Sequence, residues 1–112
     1  MYPNLPFARN HGTTTSGRGF SDVDKLAVWQ KASPASGFDP SIMRMDSCGA
    51  LIAWNEYGKT VENGNGWEID HINPVARGGT DIISNLQALQ WQNNREKGDK
   101  ITANYCLVSR KA

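Results

Sequence analysis

The chain has little of what marks a membrane or disulfide-built protein. No run approaches the roughly 18 consecutive apolar residues of a membrane span, and the start MYPNLPFARN lacks the apolar centre of a signal peptide. The expected setting is a bacterial-type cytoplasm, with no membrane contact. Cysteine is scarce too: Cys48 and Cys106 are the only two. In a chain read as unexported, two such residues are expected to be free thiols. Nor is there much charge of one sign, since the formal net charge is +1. That is weak for a nucleic-acid binder judged on composition alone. At 112 residues the chain has room for one domain, burying roughly two-thirds of its unfolded surface.

The distribution of charge says more than its sum. Residues 48–94 hold Lys59 and Arg77 against Glu56, Glu62, Glu68, Asp70 and Asp81, an acidic excess; residues 95–112 reverse the balance with Arg95, Lys97, Lys100, Arg110 and Lys111 against Glu96 and Asp99. An acidic centre suited to a cation, followed by a basic end suited to phosphate, is a layout for gripping and cutting nucleic acid. A solvated helix and tail would give the same tally.

Chemistry concentrates in WEIDHINPVARGGTDIISNLQALQWQNNREKGDK, from Trp67 to Lys100. Asp70 and Asn94 offer the hard oxygen donors that Mg²⁺ or Mn²⁺ accepts. His71 beside Asp70 supplies a base, because an imidazole with a reference pKa of about 6.5 is largely neutral at cellular pH.

The segment from Met45 to Asp99 resembles the HNH (ββα-metal, His-Me finger) endonucleases. The resemblance is carried by the Asp-His pair in EIDHINP, the Gly78-Gly79 turn, Asn-Leu-Gln at 85–87 and the Asn-x-x-Lys-Gly-Asp ending at Asp99. The spacings from His71 to Asn85 and from Asn85 to Asn94 also match. It implies an α+β fold with a ββα-metal core and an added N-terminal helix. Asp70 and Asn94 would hold one divalent ion, Mg²⁺ or Mn²⁺; neighbouring Asn93 falls where relatives place a zinc cysteine. His71 would activate water, its ring held by a backbone carbonyl near the site. Asn85 would hold the loop geometry between base and ion. Lys97 would contact phosphate, with Arg95, Lys100 and Arg77 extending that contact.

The implied partner is DNA, nicked with weak sequence specificity; cutting both strands would need two passes or a homodimer. The alternative is a nucleic-acid-binding module that kept the fold and lost activity. Many relatives also carry two Cys-x-x-Cys pairs around a structural zinc. Those positions fall here on Met45, Cys48, Gln90 and Asn93, one cysteine where a structural zinc wants four Cys or His ligands. No structural zinc is therefore expected, and Trp54, Trp67 and Trp91 are expected to replace that cross-link by apolar packing.

Along the chain, residues 1–20 are rich in Gly, Thr, Asn and Pro and read as a flexible arm; its Arg9 and His11 receive no role. Residues 21–112 read as one nuclease domain with a core of about 45–100. Ser21 and Asp24 predict a capped helix over 22–32, ended before Ser33-Pro34. CGALIAW from Cys48 and WEIDHI from Trp67 predict the two strands of the hairpin. Residues 72–84 read as loop, NLQAL as a short turn or strand, and a helix is predicted from Trp91 through Lys97, stopped by Gly98. The end, ITANYCLVSRKA, contains an apolar run that predicts an added strand.

Overall fold

The computed structural model describes residues 10–101 and 104–109. The first helix, α1 (Asp22–Lys31), begins where the Ser21 side chain accepts a hydrogen bond from the Asp24 backbone N–H, and it ends at Ala32, whose N–H returns to the Trp29 carbonyl. The chain then enters a small antiparallel sheet of β1 (Ser33–Pro34), β2 (Met43–Met45) and β3 (Leu51–Ala53), in that spatial order. A second sheet pairs β4 (Trp67–His71) with β5 (Leu86–Gln90), antiparallel, and β5 runs directly into α2 (Trp91–Lys97).

The hairpin strand expected at CGALIAW is thus misplaced. Leu51–Ala53 pairs with Met43–Met45, while the true partner of Trp67–His71 is the segment read only as a turn or strand. Two 3-10 turns, Val75–Arg77 and Ile83–Asn85, fill the connection between β4 and β5. At Gly79 the chain passes so close to itself that a Cβ would lie 1.7 Å from the Asn73 carbonyl oxygen. Only glycine fits there.

Both faces of β4 are covered, and the strand is buried along its whole length. Side chains alternate across a strand, so Trp67 and Ile69 enter a core with Val28, Trp29, Ile52, Leu86 and Ala88. Glu68 and Asp70 take the other face and meet α2. Trp67 lies within ring contact of Trp29, Trp54 and Tyr57. From the last turn of α1, Lys31 donates to the Ile83 and Leu86 carbonyls, both at 2.6 Å, tying the helix to the start of β5.

The cross-link at the four positions Met45, Cys48, Gln90 and Asn93 is built differently from the aromatic packing expected. Trp54 and Trp67 belong to the aromatic core around Trp29; Trp91 stands apart, donating through its indole to the Val61 carbonyl at 3.2 Å. A buried carboxylate, Asp46, takes the centre instead. One of its oxygens accepts from the backbone N–H groups of Cys48 and Ala50, the other from Gln90 N–H and the Asn93 amide, all between 2.9 and 3.1 Å. Asn93 in turn makes a two-way bond with the Val108 backbone.

Cys48 is disulfide-bonded to Cys106 across a separation of 58 residues, which corrects the free-thiol reading. The apolar run near the end forms no strand over residues 104–109; this segment is pinned by the disulfide and Asn93. Closing a loop of that length removes freedom from the unfolded chain. The double variant Cys48→Ser/Cys106→Ser is expected to lose about 2–4 kcal/mol, read as a lower urea midpoint that added reductant no longer moves.

Candidate active site

The end of β4 delivers Asp70 and His71 to one cavity of about 250 Å³, which Asn94 reaches from α2 and Asn10, His11 and Gly12 reach from the N-terminal segment. The register of the sheet decides this meeting. Asp70 sits opposite Gln87 and His71 opposite Leu86, so on the α2 face the Gln87 amide donates to Asp70 Oδ2 at 2.9 Å. Asp70 Oδ1 lies 3.2 Å from the Lys97 ammonium. Lys97 also donates to the His71 carbonyl at 2.9 Å. Burial pushes the Asp70 carboxyl above the usual carboxylate range, with the bonds from Gln87 and Lys97 offsetting part of the effect.

Lys97, expected on phosphate, is 1% exposed and faces inward. Its stem crosses the α2–β4 contact and its ammonium locks a carboxylate and a strand end. Arg95 is also drawn back, its guanidinium bonding Glu68 at 2.9 Å. Glu68 receives the Asn94 amide nitrogen at 2.8 Å as well, which leaves the Asn94 carbonyl oxygen as the donor that can serve an ion. Arg77 and Lys100 are on the surface: Arg77 donates to the carbonyl of Asp99, a residue that lines the cavity, and Lys100 pairs loosely with Glu96 at 3.5 Å.

Asn85 holds the loop from several sides. Its amide nitrogen donates to the carbonyls of Asn73 and Thr80, its side-chain oxygen accepts from Asn73 N–H at 2.8 Å, and its backbone carbonyl accepts from Ile72 N–H. The His71 ring is held by a carboxylate where a backbone carbonyl was expected: Nε2 lies 2.8 Å from Asp81 Oδ1. Partial burial acts to raise the Asp81 carboxyl, but the bonds from His71 and Thr15 outweigh it and bring the group below its ordinary range.

Asp81, Gln87, Glu68 and His11 were not singled out as site residues from the sequence. Only Asp81 left a usable signal, an acidic residue just past the Gly-Gly turn and between two residues of the motif.

The donors fit a hard divalent ion. One carboxylate and one amide oxygen border a common cavity, and a carboxylate's roughly four acceptor positions exceed the two that Gln87 and Lys97 use. Among the described residues no group of three or more His, Cys, Asp or Glu comes together that could hold a metal. An ion here would draw its other oxygens from water and phosphate, as Mg²⁺ does.

The Asp70–Lys97 pair is buried on both sides, so removing one partner strands the other. Lys97→Met is expected to cost about 3–5 kcal/mol in urea unfolding. Asp70→Asn/Lys97→Met should cost less than the two single changes summed.

No curated protein and no solved structure matches the chain significantly. The family model described as HNH endonuclease matches residues 47–100, a span that contains Asp70, His71, Asn85, Asn94 and Lys97. Residues 47–100 are thus a domain of the HNH endonuclease family.

Proposed function

We propose that the protein is a divalent-metal-dependent endonuclease that hydrolyses DNA phosphodiester bonds one strand at a time. Family membership makes nuclease chemistry the activity class. The observation that carries the finer reading is the convergence of Asp70, His71 and Asn94 on one cavity. A base alone would polarise water, and a ligand pair alone would bind a cation; side by side they suit hydrolysis.

In this reading Asp70 and Asn94 hold the ion, which when bound supplies positive charge against the phosphate and the departing oxygen. His71 takes a proton from water as the oxygen attacks phosphorus, the P–O3′ bond breaks, and the departing 3′ oxygen takes a proton from solvent water, giving 5′-phosphate and 3′-hydroxyl ends. Lys97 acts on Asp70, keeping its carboxylate charged and aimed despite burial. Asn85 fixes the loop that borders the base. Surface Arg77 and Lys100 meet the DNA backbone, whose phosphates carry no sequence information, so specificity is weak. A single centre nicks, and cutting both strands takes two passes or two copies. The cytoplasmic setting expected earlier sits poorly with the Cys48–Cys106 bond, which favours an oxidising compartment.

Supercoiled plasmid incubated with Mg²⁺ or Mn²⁺ should convert to open circles, and excess EDTA should stop the reaction. Conversion at full rate in EDTA would defeat the metal role; DNA binding without turnover would point to a module that kept the fold and lost the activity.

A second expectation separates base from ligand. His71→Ala should lower the cleavage rate by about 10² to 10⁴-fold while Mn²⁺ and DNA affinities, measured by calorimetry and gel shift, stay within about twofold. Asn94→Ala should weaken Mn²⁺ binding and cleavage together. A folded His71→Ala protein that cuts within a few-fold of wild type would remove the central claim.

A further inference from the structure

We propose that residues 10–20 are part of the active site, and that Asp81, gripped by Thr15 of that segment, is the positioning residue that holds the His71 ring for catalysis. The inference rests on the nuclease reading for its catalytic meaning, but its geometry stands without it.

Residues 10–20 lie outside the span that matches the family, and their composition reads as a loose arm. Their backbone closes into a tight turn: Thr13 bridges Gly19, Thr14 N–H donates to the Arg18 carbonyl at 2.7 Å, and the Thr14 hydroxyl accepts from Arg18 N–H. The turn rests on β4. A Cβ on Gly12 would stand 3.4 Å from the Glu68 Cβ, with Gly12 at φ +70°, where a side chain is strained. At its far end Phe20 places its ring 5.9 Å from the His71 ring, centre to centre.

From this turn Thr15 takes hold of Asp81 with two groups. Its backbone N–H donates to both carboxylate oxygens, at 3.1 and 3.3 Å, and its hydroxyl donates to Oδ2 at 2.9 Å. The remaining side of the carboxylate faces His71 Nε2 at 2.8 Å. Asp81 is held from behind by a residue 66 positions away in the chain and meets the base in front.

A neutral imidazole carries one N–H, and a carboxylate that only accepts draws that N–H to itself. The proton then resides on Nε2, and Nδ1 keeps the lone pair that takes a proton from water. Without this partner the ring would share its proton between both nitrogens and turn more freely. Such orienting partners typically contribute about 10 to 100-fold to activity. Asn85 supports the same device, since its bond to the Thr80 carbonyl fixes the backbone just before Asp81.

The test uses the full chain. With only two histidines in the sequence, the His71 ring is readily assigned in long-range ¹H–¹⁵N spectra against His71→Ala. Recorded on metal-free protein at a pH where the imidazole is neutral, wild type should show the Nε2–H tautomer. Asp81→Ala should mix the tautomers and lower kcat for plasmid nicking about 10 to 100-fold, with KM within about twofold. Thr15→Val, which keeps the backbone bond, should move both readouts part of the way, and Thr15→Ser should restore them.

An Asp81→Ala protein with the wild-type tautomer and wild-type kcat overturns the proposal. If that variant loses its fold by circular dichroism, Thr15→Val decides on the same readouts, and unchanged values there overturn it equally. Wild type that leaves plasmid intact sinks the nuclease reading instead, and the imidazole spectrum alone then decides whether Asp81 fixes His71.

Discussion

Antiparallel pairing of Trp67–His71 with Leu86–Gln90 is the constraint from which the site follows. A strand sends neighbouring side chains to opposite faces, and here that separates two adjacent residues with different chemistry. Asp70 joins Glu68 on the face covered by α2, where Gln87, Asn94 and Lys97 are waiting. His71 turns its ring toward Phe20 and Asp81 while still lining, at the strand end, the cavity that Asp70 and Asn94 border. A slip of one residue would exchange them, burying the imidazole against an ammonium and leaving the carboxylate beside Asp81.

Such a strand could not stand alone, because every one of its five residues is buried and two are acidic. The acidic pair is compatible with burial only because α2 follows β5 without a break and brings Asn94, Arg95 and Lys97 within reach. In the same way Asp46 is tolerated in the interior because four donors surround its carboxylate. Among the described residues the buried carboxylates Asp46, Glu68 and Asp70 all have hydrogen-bonded partners, the condition under which buried polar groups rigidify a fold, whereas the Trp67 indole N–H is buried without one.

How much of this could be read from the residues depended on distance along the chain. The Ser21 cap, the stop at Ser33-Pro34 and the Trp91–Lys97 helix are local, and each appears within a residue of expectation. Asp70, His71 and Asn94 were legible because their order and spacing are linear features that survive folding. Strand pairing was not. CGALIAW and LQALQ are both short apolar runs, and nothing local says which one meets WEIDHI. Lys97 was expected on phosphate because helical position alone does not reveal what covers a face. Asp81 with Thr15, and Cys48 with Cys106, are contacts across 66 and 58 positions, set by tertiary packing alone.

The Asp46 network and the Cys48–Cys106 bond carry one more consequence. In a chain clamped by thiolates on zinc, a chelator attacks scaffold and chemistry at once, because metal binding is folding free energy there. Here the one cysteine at those four positions is already bonded to sulfur, so this part of the scaffold draws on an oxidant. Under the metal-dependent reading proposed above, architecture and reaction would answer to different small molecules: a reductant would loosen the frame while sparing the ion, and a chelator would silence the centre while leaving the frame upright.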